Sequence, residues 1–135
     1  MSETARVHKE EAPKKLGLAV IIVSTSRFRD FEAGRKVRDE SGDLIVKTLK
    51  THGHSIFMRE LIPDDKRLVE ASVKRALQLQ KVDAVITCGG TGITPSDVTI
   101  EAVEPLLDKQ LPGFGEIFRR LSYDEVGSAA VMTRA

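Results

Sequence analysis

Short apolar runs alternate along the chain with stretches of amphipathic spacing. Residues 18–23, Leu-Ala-Val-Ile-Ile-Val, form an unbroken and largely β-branched run. That is the length and make-up of a strand covered on both faces. Ser24, Thr25 and Ser26 interrupt it with short polar side chains. Over residues 35–51 the positions Val37, Leu44, Ile45, Thr48 and Leu49 recur at helical spacing, and Gly53 supplies a stop. Gly42 lies inside this pattern, at a cost of about 1 kcal/mol relative to Ala. It is expected to allow a close approach or to make room for another group.

Residues 56–62 predict a second strand, ended by Pro63. Asp64 or Asp65 then caps a helix beginning near Lys66, with Leu68, Val69, Val73, Ala76 and Leu77 on one face. Residues 82–87 predict a third strand that runs directly into Gly89-Gly90-Thr91-Gly92. A helix starts near Ser96 or Asp97 and carries Ile100, Val103, Leu106 and Leu107, with Pro105 bending or splitting it. Another covers residues 113–122. Residues 1–15 are polar and mixed in charge, and read as a flexible, solvated arm.

The order β-α-β-α-β-α-α predicts an α/β fold: a three-layer αβα domain with a mostly parallel sheet over residues 16–135. A chain of 135 residues, 41% hydrophobic and 30% charged, suits one such domain with a packed core. The net charge of +1 gives no global field toward nucleic acid or an anionic membrane. Five Phe, one Tyr and no Trp make a poor base-stacking surface. Neither nucleic acid nor membrane is therefore an expected partner. Cys88 is the single cysteine and cannot form an internal disulfide; with no signal-peptide pattern, the cytoplasm is the expected location. The absence of Asn, with only three Gln, suits a thermophile.

Ligands of open parallel sheets bind beyond the carboxyl ends of the strands. Three such ends are visible: 24–26, 63–65 and 89–97. They are expected to converge on one site. Gly89, Gly90 and Gly92 lack β-carbons, so backbone N–H groups here can approach a ligand and form an anion-binding concavity. The following helix N-terminus adds donors, and Thr91 and Thr94 add hydroxyls. A phosphate or carboxylate is the natural guest. The loop is neither a Walker A motif nor a dinucleotide fingerprint, since it lacks the Gly-Lys-Ser/Thr of the first and the third glycine of the second. Asp64 and Asp97 each read either as a helix cap or as a carboxylate holding Mg2+ beside a phosphate.

Other polar and aromatic residues read more plainly. Cys88 suits a small core role, and His52 and His54 flank a helix end. Arg119 and Arg120 suit surface ion pairs. Phe114 and Phe118, at i and i+4, suit core or subunit packing better than stacking on a planar ligand.

Several spaced motifs resemble the MoaB/MogA family, which also includes the gephyrin G domain. They are Thr87-Cys88-Gly89-Gly90-Thr91-Gly92 through Asp97-Val98-Thr99, Pro63-Asp64-Asp65, Pro112-Gly113-Phe114, Phe118-Arg119 and Leu121-Ser122. Val23-Ser24-Thr25-Ser26-Arg27 and Asp39-Glu40-Ser41-Gly42-Asp43 look most like the MoaB branch. The resemblance implies a molybdopterin-binding domain of molybdenum cofactor biosynthesis. Active members transfer AMP from Mg-ATP to molybdopterin and release pyrophosphate. It implies ATP and molybdopterin as substrates and Mg2+ as cofactor, with self-association as a trimer or hexamer. A downstream molybdate-insertion enzyme would be a partner.

By the same resemblance Asp64 and Asp97 match the catalytic and Mg2+ positions. Gly89, Gly90, Thr91 and Gly92 match the ligand loop, and Ser24 a binding position. Thr25 stands where many MogA-type members have an acid. The family pattern continues past position 135 with a strand, a Pro-Gly-Ser loop and a helix. The alternatives are a non-catalytic pterin-binding or scaffold protein of the MoaB branch, and a generic nucleotide-binding domain.

Overall fold

The computed structural model describes residues 2–135. The apolar run becomes β1 (Gly17–Val23), and each of its residues is buried. It is the middle strand of a three-stranded parallel sheet ordered β2-β1-β3, where β2 is Ser55–Ile62 and β3 is Ala84–Cys88. A central parallel strand is covered on both faces, which explains why its sequence does not alternate. The register places Val23 opposite Ile62 and Ile22 opposite Cys88. All three strands therefore end at one edge of the domain.

β1 reaches β2 through two helices, α2 (Thr25–Glu32) and α3 (Glu40–Thr51), and β2 reaches β3 through α4 (Lys66–Leu77). These crossovers travel in opposite directions across the sheet. Right-handed connections then put α3 and α4 on opposite faces, which gives the three layers. Ile21 and Val23 pack with Val69 and Val73 of α4 and with Ala102 of α5 (Thr99–Val103) in one buried cluster. Val20 and Ile22 point to the other face, as alternation along a strand requires. Truncating fully buried Ile21 to Ala would cost about 2–5 kcal/mol in lost contacts and cavity.

Capping separates the roles of two adjacent acids. The Asp65 carboxylate accepts hydrogen bonds from the amides of Arg67 and Leu68 at 2.9 and 3.0 Å, so Asp65 is the N-cap of α4 and Asp64 is free of that task. Gly42 makes room, as its place in the helical pattern suggested. A β-carbon there would sit 2.1 Å from Asp39 Oδ2 and 2.8 Å from an Arg59 nitrogen. Asp39 caps α3 through the Gly42 amide at 3.0 Å and pairs with Arg59 at 2.7 Å.

Some elements differ from expectation. Residues Glu3–Glu11 of the expected arm form a helix, α1, with its described side chains exposed; Met1 lies outside the described residues. α2 was not foreseen: it is eight residues long, mostly polar, and buries none of them. α5 begins at Thr99 rather than near Ser96 or Asp97, because a tight turn from Thr94 to Asp97 (Asp97 N–H to Thr94 O, 3.0 Å) occupies those positions. Pro105 does split the segment, which continues as a 3-10 turn over Glu104–Leu106. The last helix, α6 (Pro112–Val126), is followed by a 3-10 segment, Gly127–Met132. Among the described residues no helix is long and apolar enough to cross a membrane.

Candidate active site

The three strand ends meet. Ser24 donates its amide to Ile62 O at 2.8 Å, which joins the first loop to the second. Thr25 then grips Asp64. Its amide and its hydroxyl both donate to Asp64 Oδ2, at 2.8 and 2.7 Å, and the hydroxyl accepts the Asp64 amide at 2.9 Å. Asp64 Oδ1 is left facing the third loop. A β-carbon built on Gly90 would lie 3.1 Å from it.

The glycine loop needs its glycines for conformation and for space. Gly89 and Gly90 have φ of +105° and +65°, where a side chain is strained. A β-carbon on Gly89 would meet Val23 O at 2.1 Å, and one on Gly90 would meet Thr99 Oγ1 at 2.3 Å. Gly92 borders the other acid: a β-carbon there would lie 2.8 Å from Asp97 Oδ2. Asp64 and Asp97 therefore flank one four-residue loop.

Every carbonyl of that loop is occupied. Thr99 takes two, donating its hydroxyl to Gly89 O at 2.8 Å and its amide to Gly90 O at 3.0 Å. Arg134 takes the others, donating its amide to Thr91 O at 3.0 Å and Nε to Gly92 O at 2.6 Å. The amides of Gly90 and Thr91 have no acceptor among the described residues. With carbonyls turned inward, unpaired amides are left for an anion.

Asp97 is held ionised. Its Oδ2 accepts the Thr94 hydroxyl at 2.6 Å and the Thr94 amide at 2.8 Å. These bonds, with help from the Gly92 amide and the Arg134 charge, hold its carboxyl below the usual carboxylate range. An open hollow of 440 Å3 lies on this side of the loop, between Thr94, Asp97, Glu101 and Arg134. Cys88 adjoins Gly89 at the end of β3. Burial, then the charge of Asp39, pushes its thiol up and keeps it protonated.

Asp64, Asp97, Ser24, Gly89, Gly90, Thr91 and Gly92 thus come to one end of the sheet. Ser24 contributes less than its neighbour: it starts α2 without a side-chain cap, its hydroxyl 3.4 Å from that of Ser26. Sequence reasoning did not assign roles to Thr25, Thr99 and Arg134. Thr25 carried a usable signal, being a hydroxyl at a strand end. Arg134 carried none, because its contacts are 33 or more residues away along the chain. No group of three or more His, Cys, Asp or Glu able to hold a metal occurs among the described residues.

Away from the site, Phe114 and Phe118 stack at 6.4 Å between ring centroids but lie on an exposed face, so they are not core residues. Arg119 donates to Ala135 O at 2.8 Å rather than forming the expected ion pair. His52 Nδ1 lies 2.8 Å from Thr48 O at the end of α3, and His54 Nδ1 accepts the Leu16 amide at 3.2 Å.

Comparison with known proteins gives the family and the fold. The family described as "Probable molybdopterin binding domain" matches residues 19–135. The chain belongs to this family. It is 46% identical over 129 residues to molybdenum cofactor biosynthesis protein B of Bacillus subtilis, an alignment covering 95% of this chain and 72% of the relative. It is 45% identical over 128 residues to molybdopterin adenylyltransferase of Pyrococcus furiosus, covering 95% and 71%. The crystal structure of the tungsten cofactor synthesizing protein MoaB from Pyrococcus furiosus superposes with a TM-score of 0.77 at 42% identity, covering 91% of this chain and 72% of that one. The glycine loop and the two acids beside it lie within the residues this family model matches, and the chain has the α/β fold of MoaB and MogA structures.

Proposed function

We propose that this chain is a molybdopterin adenylyltransferase of cofactor biosynthesis. The observation that carries the reading is the placement of Asp64 and Asp97 on either side of a loop whose Gly90 and Thr91 amides are unpaired. Those amides, and the N–H groups at the start of the following helix, suit phosphate oxygens of ATP and of the pterin. The likeness to an adenylyltransferase supports the choice of reaction.

The donor set fits Mg2+. Mg2+ is commonly held by one or two carboxylates plus phosphate oxygens and water, so a protein-only cluster is not required. Asp64, through Oδ1, and Asp97 would hold it. Bound there, the ion offsets phosphate charge and polarises the phosphoryl centre. The pterin phosphate is already ionised and attacks the α-phosphorus of ATP; the bond to the β-phosphate oxygen breaks and pyrophosphate leaves. No strong base is needed. The chain's own part is orientation by the loop amides and by the two fixed carboxylates.

The exposed apolar face of α6, with Phe114, Ile117 and Leu121, supports self-association; the trimer or hexamer comes from the family resemblance. We place the chain in the cytoplasm, handing adenylylated molybdopterin to a downstream metal-insertion enzyme.

The test mixes protein, Mg-ATP and molybdopterin and measures pyrophosphate. The wild type releases one pyrophosphate per molybdopterin. Asp97→Asn keeps the circular dichroism spectrum and loses about a hundredfold or more in rate. Tight pterin binding without pyrophosphate would instead make the chain a binding or scaffold protein. Wild-type turnover in Asp97→Asn removes Asp97 from the mechanism.

A further inference from the structure

We propose that Arg134 is a positioning residue that sets the glycine loop in its phosphate-gripping shape. The proposal rests on the adenylyltransferase reading for its kinetic consequence, and on geometry alone for its structural one. A loop with three glycines in four positions has many backbone conformations open to it. Something must select the one with its amides outward. On the strand side Thr99 does so through the carbonyls of Gly89 and Gly90. On the far side Arg134 holds both remaining carbonyls, that of Thr91 through its backbone amide, which substitution by Ala or Lys keeps, and that of Gly92 through its guanidinium Nε.

The same guanidinium reaches further. It donates to Asp97 O at 2.8 Å and pairs with both carboxylate oxygens of Glu101 on α5. Arg134 thus ties the loop, the Asp97 turn and α5 into one unit. The pairing holds Glu101 below and Arg134 above their ordinary ranges. A planar fork with donors in fixed directions suits such bridging, whereas an ammonium would supply the charge without the geometry. Nε and both terminal nitrogens of Arg134 donate to groups of the chain itself, which is the geometry of a residue that shapes the loop.

The experiment compares R134A, R134K and the wild type, with and without substrates. A loop that holds phosphate equally in ground and transition states affects KM more than kcat. R134A is expected to raise KM for Mg-ATP about tenfold with kcat within about threefold, and R134K to recover part of the loss. A fall in kcat at unchanged KM would mean only fewer folded molecules and would overturn the proposal, as would parity with the wild type. Without substrate, the hydrogen-bonded amides of Thr94, Asp97 and Thr99 in R134A should exchange with solvent about tenfold faster while those of α4 keep their rates. Unchanged exchange at these three amides, or equal acceleration in α4, overturns the proposal even if the wild type makes no pyrophosphate; that last result would instead sink the adenylyltransferase reading. If R134A does not accumulate folded, R134K carries the same comparisons.

Discussion

Thr25 holds Asp64 from both ends: amide and hydroxyl donate to one carboxylate oxygen, and the hydroxyl accepts the Asp64 amide in return. A side chain on the first loop thereby fixes the direction of an acid on the second, and its remaining oxygen meets the third. Thr25→Ala removes two of those three bonds. It should cost about 1 kcal/mol of stability for each net bond lost and lower pyrophosphate release. Thr25→Ser keeps the hydroxyl and should restore most of both. Thermal unfolding and turnover of the pair check this; equal behaviour of the two variants would contradict it.

Gly90→Ala combines a positive φ with a close contact to Thr99. The backbone conformation alone costs roughly 1–2 kcal/mol. Relief requires Thr99 or Asp64 to move, so nucleotide binding should fall more than stability. Calorimetric titration with ATP beside thermal melting separates the two effects. Gly113→Ala, where a β-carbon would meet nothing within 4 Å, is the control.

Asp97 gives a pH expectation. Its carboxyl is depressed first by the Thr94 hydroxyl and then by the Thr94 amide. The stabilisation this brings is present above the unfolded value, about 3.9. It is lost as pH falls through the lower folded value. Activity should therefore show no Asp97 titration between about pH 5 and 8. In Thr94→Ala the Asp97 carboxyl should titrate closer to the ordinary range, as read by carbon NMR. An unchanged titration would show that the hydroxyl does not set it.

Leu121 lies on the exposed apolar face of α6 and is 63% exposed. Leu121→Glu places a charge in any contact that covers this face, where burying it unpaired is strongly unfavourable. Sedimentation should show the wild type as a trimer or larger and the variant shifted toward monomer. A monomeric wild type would contradict self-association through α6.

The sheet was legible because β1 is apolar throughout, and a strand buried on both faces leaves that mark. α4 was legible from its apolar face and its capping acid. α2 was not, since it is only eight residues long and buries none of its side chains, with Phe28 and Phe31 too few to stand out among polar neighbours. Asp64 and the glycines were legible from their places at strand ends. Arg134 was not, because its role comes from a long-range contact that only the folded chain creates. Phe114 and Phe118 show the converse limit: helical spacing marks an apolar face but does not say whether the chain itself covers it.

The most direct measurement is the amide NMR spectrum of the protein titrated with a non-hydrolysable ATP analogue, with and without Mg2+. Binding should shift Gly89 to Gly92, Thr25 and Asp64 first, and the Mg2+-dependent part should vanish in Asp64→Asn and Asp97→Asn. Shifts centred instead on the apolar groove between Val85, Val103, Leu107 and Phe114, with the glycine loop silent, would contradict the account.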